Sequence, residues 1–158
     1  MKDTTITVVR GALVASLYVA LTLLTSKWSF GVPFLGLLVQ FRPAEALVVL
    51  PAVYPESIWG LYLGCLLANV LGGLGLWDIF GGSAVTLLAA YLTWQLRKTK
   101  WYALPPVLLN GLLVSLYLRF IFKLPYWPTA LGIMLSEAAV IIALGLPLVA
   151  ALRAGINK

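Results

Sequence analysis

Histidine is absent from this 158-residue chain, cysteine occurs once, and only 10% of the residues are charged. Each shortage excludes a chemistry. Without histidine there is no imidazole metal site, no histidine proton relay and no histidine base for a nucleophile. Cys65 stands alone in an apolar segment, so there is neither an intrachain disulfide nor a thiolate cluster for a metal. No Gly-rich phosphate loop ending in Lys and Ser/Thr is present, which excludes a primary pump. No sequence-local nucleophile-and-base pattern occurs, and no internal repeat suggests a channel's selectivity element. The chain is therefore expected to be no enzyme and to need no metal or cofactor.

What is abundant is apolar. Hydrophobic residues make up 62% of the chain, and the mean hydropathy is +1.01. Soluble domains average about half apolar and a quarter charged. The composition is that of an integral membrane protein in the lipid bilayer. A spanning helix takes roughly 20 residues, so at most six or seven spans fit, with no room for a soluble catalytic domain. The net charge of +6 reads as a positive-inside bias rather than a nucleic-acid surface.

The expected fold is all-α: six transmembrane helices in one compact bundle, a single domain over residues 1–158. Span one runs from about Val8 to Thr25 and is read as a retained span, not a cleaved signal. The stretch from Ser26 to Phe41 carries Gly31, Pro33 and Gly36, too many breakers for a clean helix. Span two starts near Pro43 and ends before Pro55, bent by Pro51. Span three covers about Glu56 to Leu71, with Glu56 as a first-turn acid, and Gly72, Gly73 and Gly75 form a turn. Span four begins near Asp78, a candidate N-cap, and ends before Arg97. Span five covers about Leu104 to Phe122, and span six about Pro128 to Leu152. Lys2, Arg10, Arg97, Lys98, Lys100, Arg153 and Lys158 fall on one side, and Lys27, Arg42, Arg119 and Lys123 on the other. That asymmetry puts both termini in the cytoplasm. Trp28, Trp77, Trp101, Trp127, Tyr102 and Tyr126 lie near span ends, as an aromatic belt does.

The charges inside these spans carry the functional expectation, because an ionisable group in lipid costs about 3 kcal/mol or more at a helix centre. Gln40, Arg42 and Glu45 fall within six residues, and Arg42 and Glu45 share a helical face. Asn69 and Asp78 lie at the outer ends of spans three and four, and Asn110 near the middle of span five. Glu137 is nine residues into span six, about 13 Å below the outer boundary at 1.5 Å per residue. Together they suggest a polar cavity opening outward. The plainer readings are an Arg42–Glu45 ion pair, a capping Asp78, interhelical hydrogen bonds from Asn69 and Asn110, and snorkelling of Arg119 and Lys123.

Two stripes of small residues suit close helix crossings. Span one has Ala12, Ser16 and Ala20; span three has Gly60, Gly64 and Ala68. Packing within the bundle is the plain reading of both, and docking onto a partner membrane protein the sharper one.

The run Gln40-Phe-Arg-Pro-Ala-Glu-Ala-Leu, then Leu50-Pro, Gly60-Leu-Tyr-Leu-Gly-Cys-Leu-Leu-Ala-Asn69, Asp78-Ile-Phe-Gly-Gly and Thr86-Leu-Leu-Ala-Ala resembles the QueT family, substrate-binding S-components of energy-coupling factor (ECF) transporters. Asn110 after Pro105-Pro106 and the Ser136-Glu137 stretch fit as well. The likeness covers nearly the whole chain. It departs at Pro43-Ala44, where the family pattern is expected to have a residue such as Ile followed by Ser.

The resemblance implies a six-helix S-component in the cell membrane of a prokaryote, with a pocket near the outer face. Its implied partners are the membrane coupling subunit EcfT and two ECF ATPase subunits, and the stripe Ala12, Ser16, Ala20 is implied as the docking face. The implied substrate is a queuosine precursor: a 7-deazaguanine with an aminomethyl or nitrile group, or queuine. A carboxylate accepts the two N–H groups of a guanine edge, and a second one suits a cationic amine. Glu45 or Glu137 would read that edge, the other acid or Asp78 the amine, with Asn69, Gln40 and Asn110 as amide contacts. Trp77, Trp28 or Phe41 would stack on the ring, and Arg42 either touches ligand or holds Glu45. The alternative is a stand-alone proton-coupled small-solute transporter.

Overall fold

Proline and glycine divide the apolar sequence into helices of unequal length, and most of the expected divisions are where the computed structural model has them. It describes residues 2–29, 32–34 and 37–156; Gly31, Gly36 and Lys158 lie outside these. Helix α1 (Lys2–Leu24) contains no proline and is regular throughout. A single turn, α2 (Ser26–Ser29), leads into a two-stranded antiparallel hairpin, β1 (Val32–Phe34) and β2 (Leu37–Val39), with Val32 opposite Val39. The breaker-rich stretch thus supplies the only strands among the described residues.

Helix α3 (Pro43–Ala52) is a 3-10 helix with Pro43 in its first turn and Pro51 inside. Pro51 has no N–H to donate. Ten residues at the 3-10 rise of about 2.0 Å reach about 20 Å, where an α-helix would reach about 15 Å. Helix α4 (Ser57–Leu71) is regular and ends in a turn where Gly73 takes φ +68°, a conformation that costs glycine little. Helix α5 (residues 77–95) opens with a π turn, Trp77–Gly82. Asp78 is not its N-cap: Leu76 holds that position, and the Asp78 side chain is drawn to Tyr117 instead. Helix α6 (Leu104–Phe122) contains the π turn Asn110–Val114 and stops at Lys123, in the left-handed region at φ 56°. Helix α7 (Tyr126–Ile156) contains the π turn Ile141–Gly145 and extends past both limits expected for span six.

Among the described residues, six helical segments of ten residues or more are present, α1 and α3 to α7. By length and composition, Thr4–Leu24 of α1 together with α6 and α7 can cross a membrane. A helix satisfies its own backbone hydrogen bonds, the condition lipid imposes.

The tightest seam joins α1 to α4. A Cβ on Gly60 would run into the carbonyl oxygen of Gly11, and one on Gly64 would lie 2.9 Å from Tyr18 Cβ. The glycine pair of span three therefore serves packing inside the bundle. Small side chains earn their place here because van der Waals contact, not water exclusion, holds helices together in lipid. Tyr18, Leu47, Leu61, Cys65 and Ala89 form the core between α1, α3, α4 and α5. The stripe of span one faces away: Ala12, Ser16 and Ala20 are exposed on α1.

One end of the bundle gathers cations. Arg10 pairs with Glu56 at 2.8 Å, and Arg153 donates to the Arg97 carbonyl while stacking over Tyr102. Glu56 thus partners Arg10 across two helices as well as opening α4. The polar cluster described next lies toward the opposite end.

Candidate functional site

The site begins where the chain turns from the hairpin into α3. Arg42 is the N-cap of that helix, in an extended conformation, and has no side-chain capping bond. Its guanidinium is free to reach sideways. Nη2 donates to Asn69 Oδ1 of α4 at 3.3 Å, and Nη1 lies 3.8 Å from Glu45 Oε1 one turn on. Asn69 in turn donates through Nδ2 to the Asp78 carbonyl at 2.7 Å. Asp78 Oδ1 accepts from the Tyr117 hydroxyl at 2.9 Å. Arg42 thus anchors a chain of contacts that ties α3, α4, α5 and α6 together.

Deeper lies a second layer. Glu45 is 1% exposed and Glu137 3%. Asn110 Nδ2 donates to Glu137 Oε1 at 2.9 Å and lies 3.5 Å from Glu45 Oε2. Glu45 Oε1 accepts a 2.6 Å hydrogen bond from the Tyr18 hydroxyl of α1. Two carboxylates from α3 and α7 therefore converge on one amide of α6. When both are ionised, a single guanidinium nearby leaves the centre net negative, and a buried charge without compensation is costly. Such a centre suits a ligand bearing N–H donors or a positive charge.

The backbones around this centre are irregular. Asn110 begins the π turn of α6, Asp78 sits in that of α5, and that of α7 starts four residues after Glu137. π turns inside α-helices occur frequently at functional sites.

A small polar cavity of about 110 Å³ opens against the upper layer, lined by Ser29, Gln40, Arg42, Leu74, Asp78, Leu118 and Phe122. The Arg42 Nε is buried there without a hydrogen-bond partner. Larger hollows, of about 520 and 280 Å³, lie elsewhere on the bundle and are mostly apolar. The first is a groove between α4 and α5 that includes Trp59 and Trp94.

A family model for the QueT transporter matches residues 8–154. The chain belongs to the QueT transporter family. No curated protein and no solved structure matches it. The matched span takes in all the polar residues above, and a QueT transporter has use for a polar centre in an apolar bundle: it must hold a solute.

Of the residues singled out in the sequence, Gln40, Arg42 and Asp78 line the cavity, while Glu45, Asn69, Asn110 and Glu137 continue the network beneath it. Trp77 does not join them. It is 64% exposed and faces a separate hollow beside Phe120 and Ile121. Trp28 is also largely exposed, and Phe41 is exposed beside it. None of these three rings covers the polar centre. Arg119 and Lys123 point outward, as snorkelling side chains do.

Tyr18, Tyr117 and Ser29 were missed. The signal for the tyrosines was a hydroxyl placed mid-span, since a buried Tyr O–H normally has a partner. That reasoning finds a polar need but not which acid answers it. Nothing in the sequence marked Ser29, which reaches the cavity through the fold of α2.

Proposed function

We propose that this chain is the substrate-binding component of an ECF-type importer in the cell membrane of a prokaryote. It spans the membrane six times with both termini cytoplasmic, and takes up a queuosine precursor from outside. The observation that carries this reading is the pair of buried carboxylates meeting at Asn110 below Arg42. One acid accepts the N–H pair of a deazaguanine edge, and the other, or Asp78, takes an aminomethyl group; Asn69 and Gln40 supply amide contacts. Arg42 acts on the ring carbonyl or holds Glu45.

The basic end, with Arg10, Arg97 and Arg153, faces the cytoplasm in this reading. The exposed stripe Ala12, Ser16, Ala20 is the docking face for the EcfT subunit, which transmits ATP hydrolysis by two ECF ATPase subunits. The cavity of about 110 Å³ is smaller than the roughly 300 Å³ at which ligand pockets begin. Entry of a bicyclic base therefore separates contacts of the upper layer, Arg42–Asn69 and Asp78–Tyr117.

Mass spectrometry of ligand copurified with the protein, followed by calorimetry with the nitrile, the aminomethyl compound and queuine, tests the substrate. Failure of all three to bind removes it. The same buried acids favour a second reading, a proton-coupled carrier acting alone. Gradient-driven uptake into liposomes holding only this chain supports that reading, and uptake that needs the ATPase partners eliminates it.

A further inference from the structure

The shortest hydrogen bond on either deep carboxylate comes from outside the expected site. Tyr18 is fully buried, and its hydroxyl donates to Glu45 Oε1 at 2.6 Å. The same oxygen lies 3.8 Å from Arg42, so the tyrosine is the closer of its two partners. Tyr18 is carried by α1, the helix that packs against α4 along the Gly60 and Gly64 seam. Its backbone is pinned at that level by Gly64, where a Cβ would stand 2.9 Å from Tyr18 Cβ and 3.0 Å from the Ala15 carbonyl oxygen. A tyrosine has two rotatable angles before its hydroxyl. With the backbone pinned and the ring enclosed, the hydroxyl has one place to go.

We infer that Tyr18 is a positioning residue: it holds Glu45 in the rotamer that presents Oε2 toward Asn110 and the ligand, and so sets ligand affinity without touching ligand. The inference rests on the solute-binding reading for its consequence, but not for its geometry. A hydroxyl bonded to a carboxylate is among the stronger neutral-to-charged pairs, and the phenylalanine variant removes it with almost no change of volume.

The test uses the full chain in lipid nanodiscs, with Tyr18→Phe, Glu45→Gln and the double variant, and aminomethyl-deazaguanine as probe. Calorimetry should give about a tenfold loss of affinity for Tyr18→Phe in the Glu45 background and no further loss in the Glu45→Gln background. Equal losses in both backgrounds, or none in the first, overturn the inference. Infrared difference spectra without ligand supply a second readout. Loss of the hydroxyl should shift a carboxyl band when Glu45 is present and leave that region unchanged when it is Gln. Absence of that shift also overturns the inference. If wild-type protein binds no deazaguanine, the substrate reading fails while the infrared comparison still decides the role of Tyr18. Site-specific 3-fluorotyrosine at position 18, which keeps ring and fold but alters hydroxyl acidity, should move the same band if Tyr18→Phe fails to fold.

Discussion

The seam between α1 and α4 and the centre between α3, α6 and α7 solve opposite problems with opposite backbones. At the seam, Gly60 and Gly64 bring two regular α-helices into backbone contact. At the centre, Glu45 comes from a 3-10 helix, Asn110 from a π turn, and Glu137 from a helix that turns π four residues later. Regular helices suffice where only shape must match. Where carboxylates must meet an amide at hydrogen-bonding distance, the helices depart from 3.6 residues per turn.

The contrast can be broken from the seam first. Gly60→Ala sets a methyl group against the Gly11 carbonyl, which cannot swing away. Overpacking of this kind costs about 3 kcal/mol, read as a lower melting temperature in nanodiscs with or without ligand. An unchanged melting temperature would mean the seam is looser than described. At the centre the effect should reverse in kind. Glu137→Gln keeps an acceptor for Asn110, so melting without ligand should change little. Deazaguanine affinity should fall about 100-fold, roughly 2.7 kcal/mol; a fall in melting temperature with unchanged affinity would make Glu137 structural.

Smaller effects sharpen the boundary between the two regions. Tyr117→Phe removes one bond to Asp78 and should cost about 1 kcal/mol of stability. If that contact parts on ligand entry, as the proposed function requires, the association rate should rise. Ser16→Leu should have the smallest effect on the isolated chain, since Ser16 is exposed, while reducing recovery of the chain with an affinity-tagged EcfT–ATPase module. Undiminished recovery would remove the stripe from the docking face.

Much of this arrangement was legible in advance because lipid penalises polar atoms so heavily. Glu45, Asn110 and Glu137 stood out from an apolar background, and all three are buried together. Span five, expected from about Leu104 to Phe122, has those limits in the structure. The position of Trp77, outside the polar network, has a physical reason. Tryptophan near a span end is favoured by the interface as much as by a ligand, so Trp77 gave no sign of which side of its helix faced inward. Asp78 was read as a cap because a cap needs only local sequence, whereas its observed partner lies 39 residues away.

Sequence alone determined that this chain lives in a membrane, where its helices divide, and which few side chains are too polar to face lipid. Those follow from composition and short-range pattern, which the bilayer tests residue by residue. Only the tertiary structure decided that the glycines of α4 seat α1, that the stripe on α1 faces outward, and that a tyrosine from α1 donates a hydrogen bond to Glu45. Each of these depends on the rotation of one helix about its axis relative to another, a quantity set by summed packing over the whole bundle.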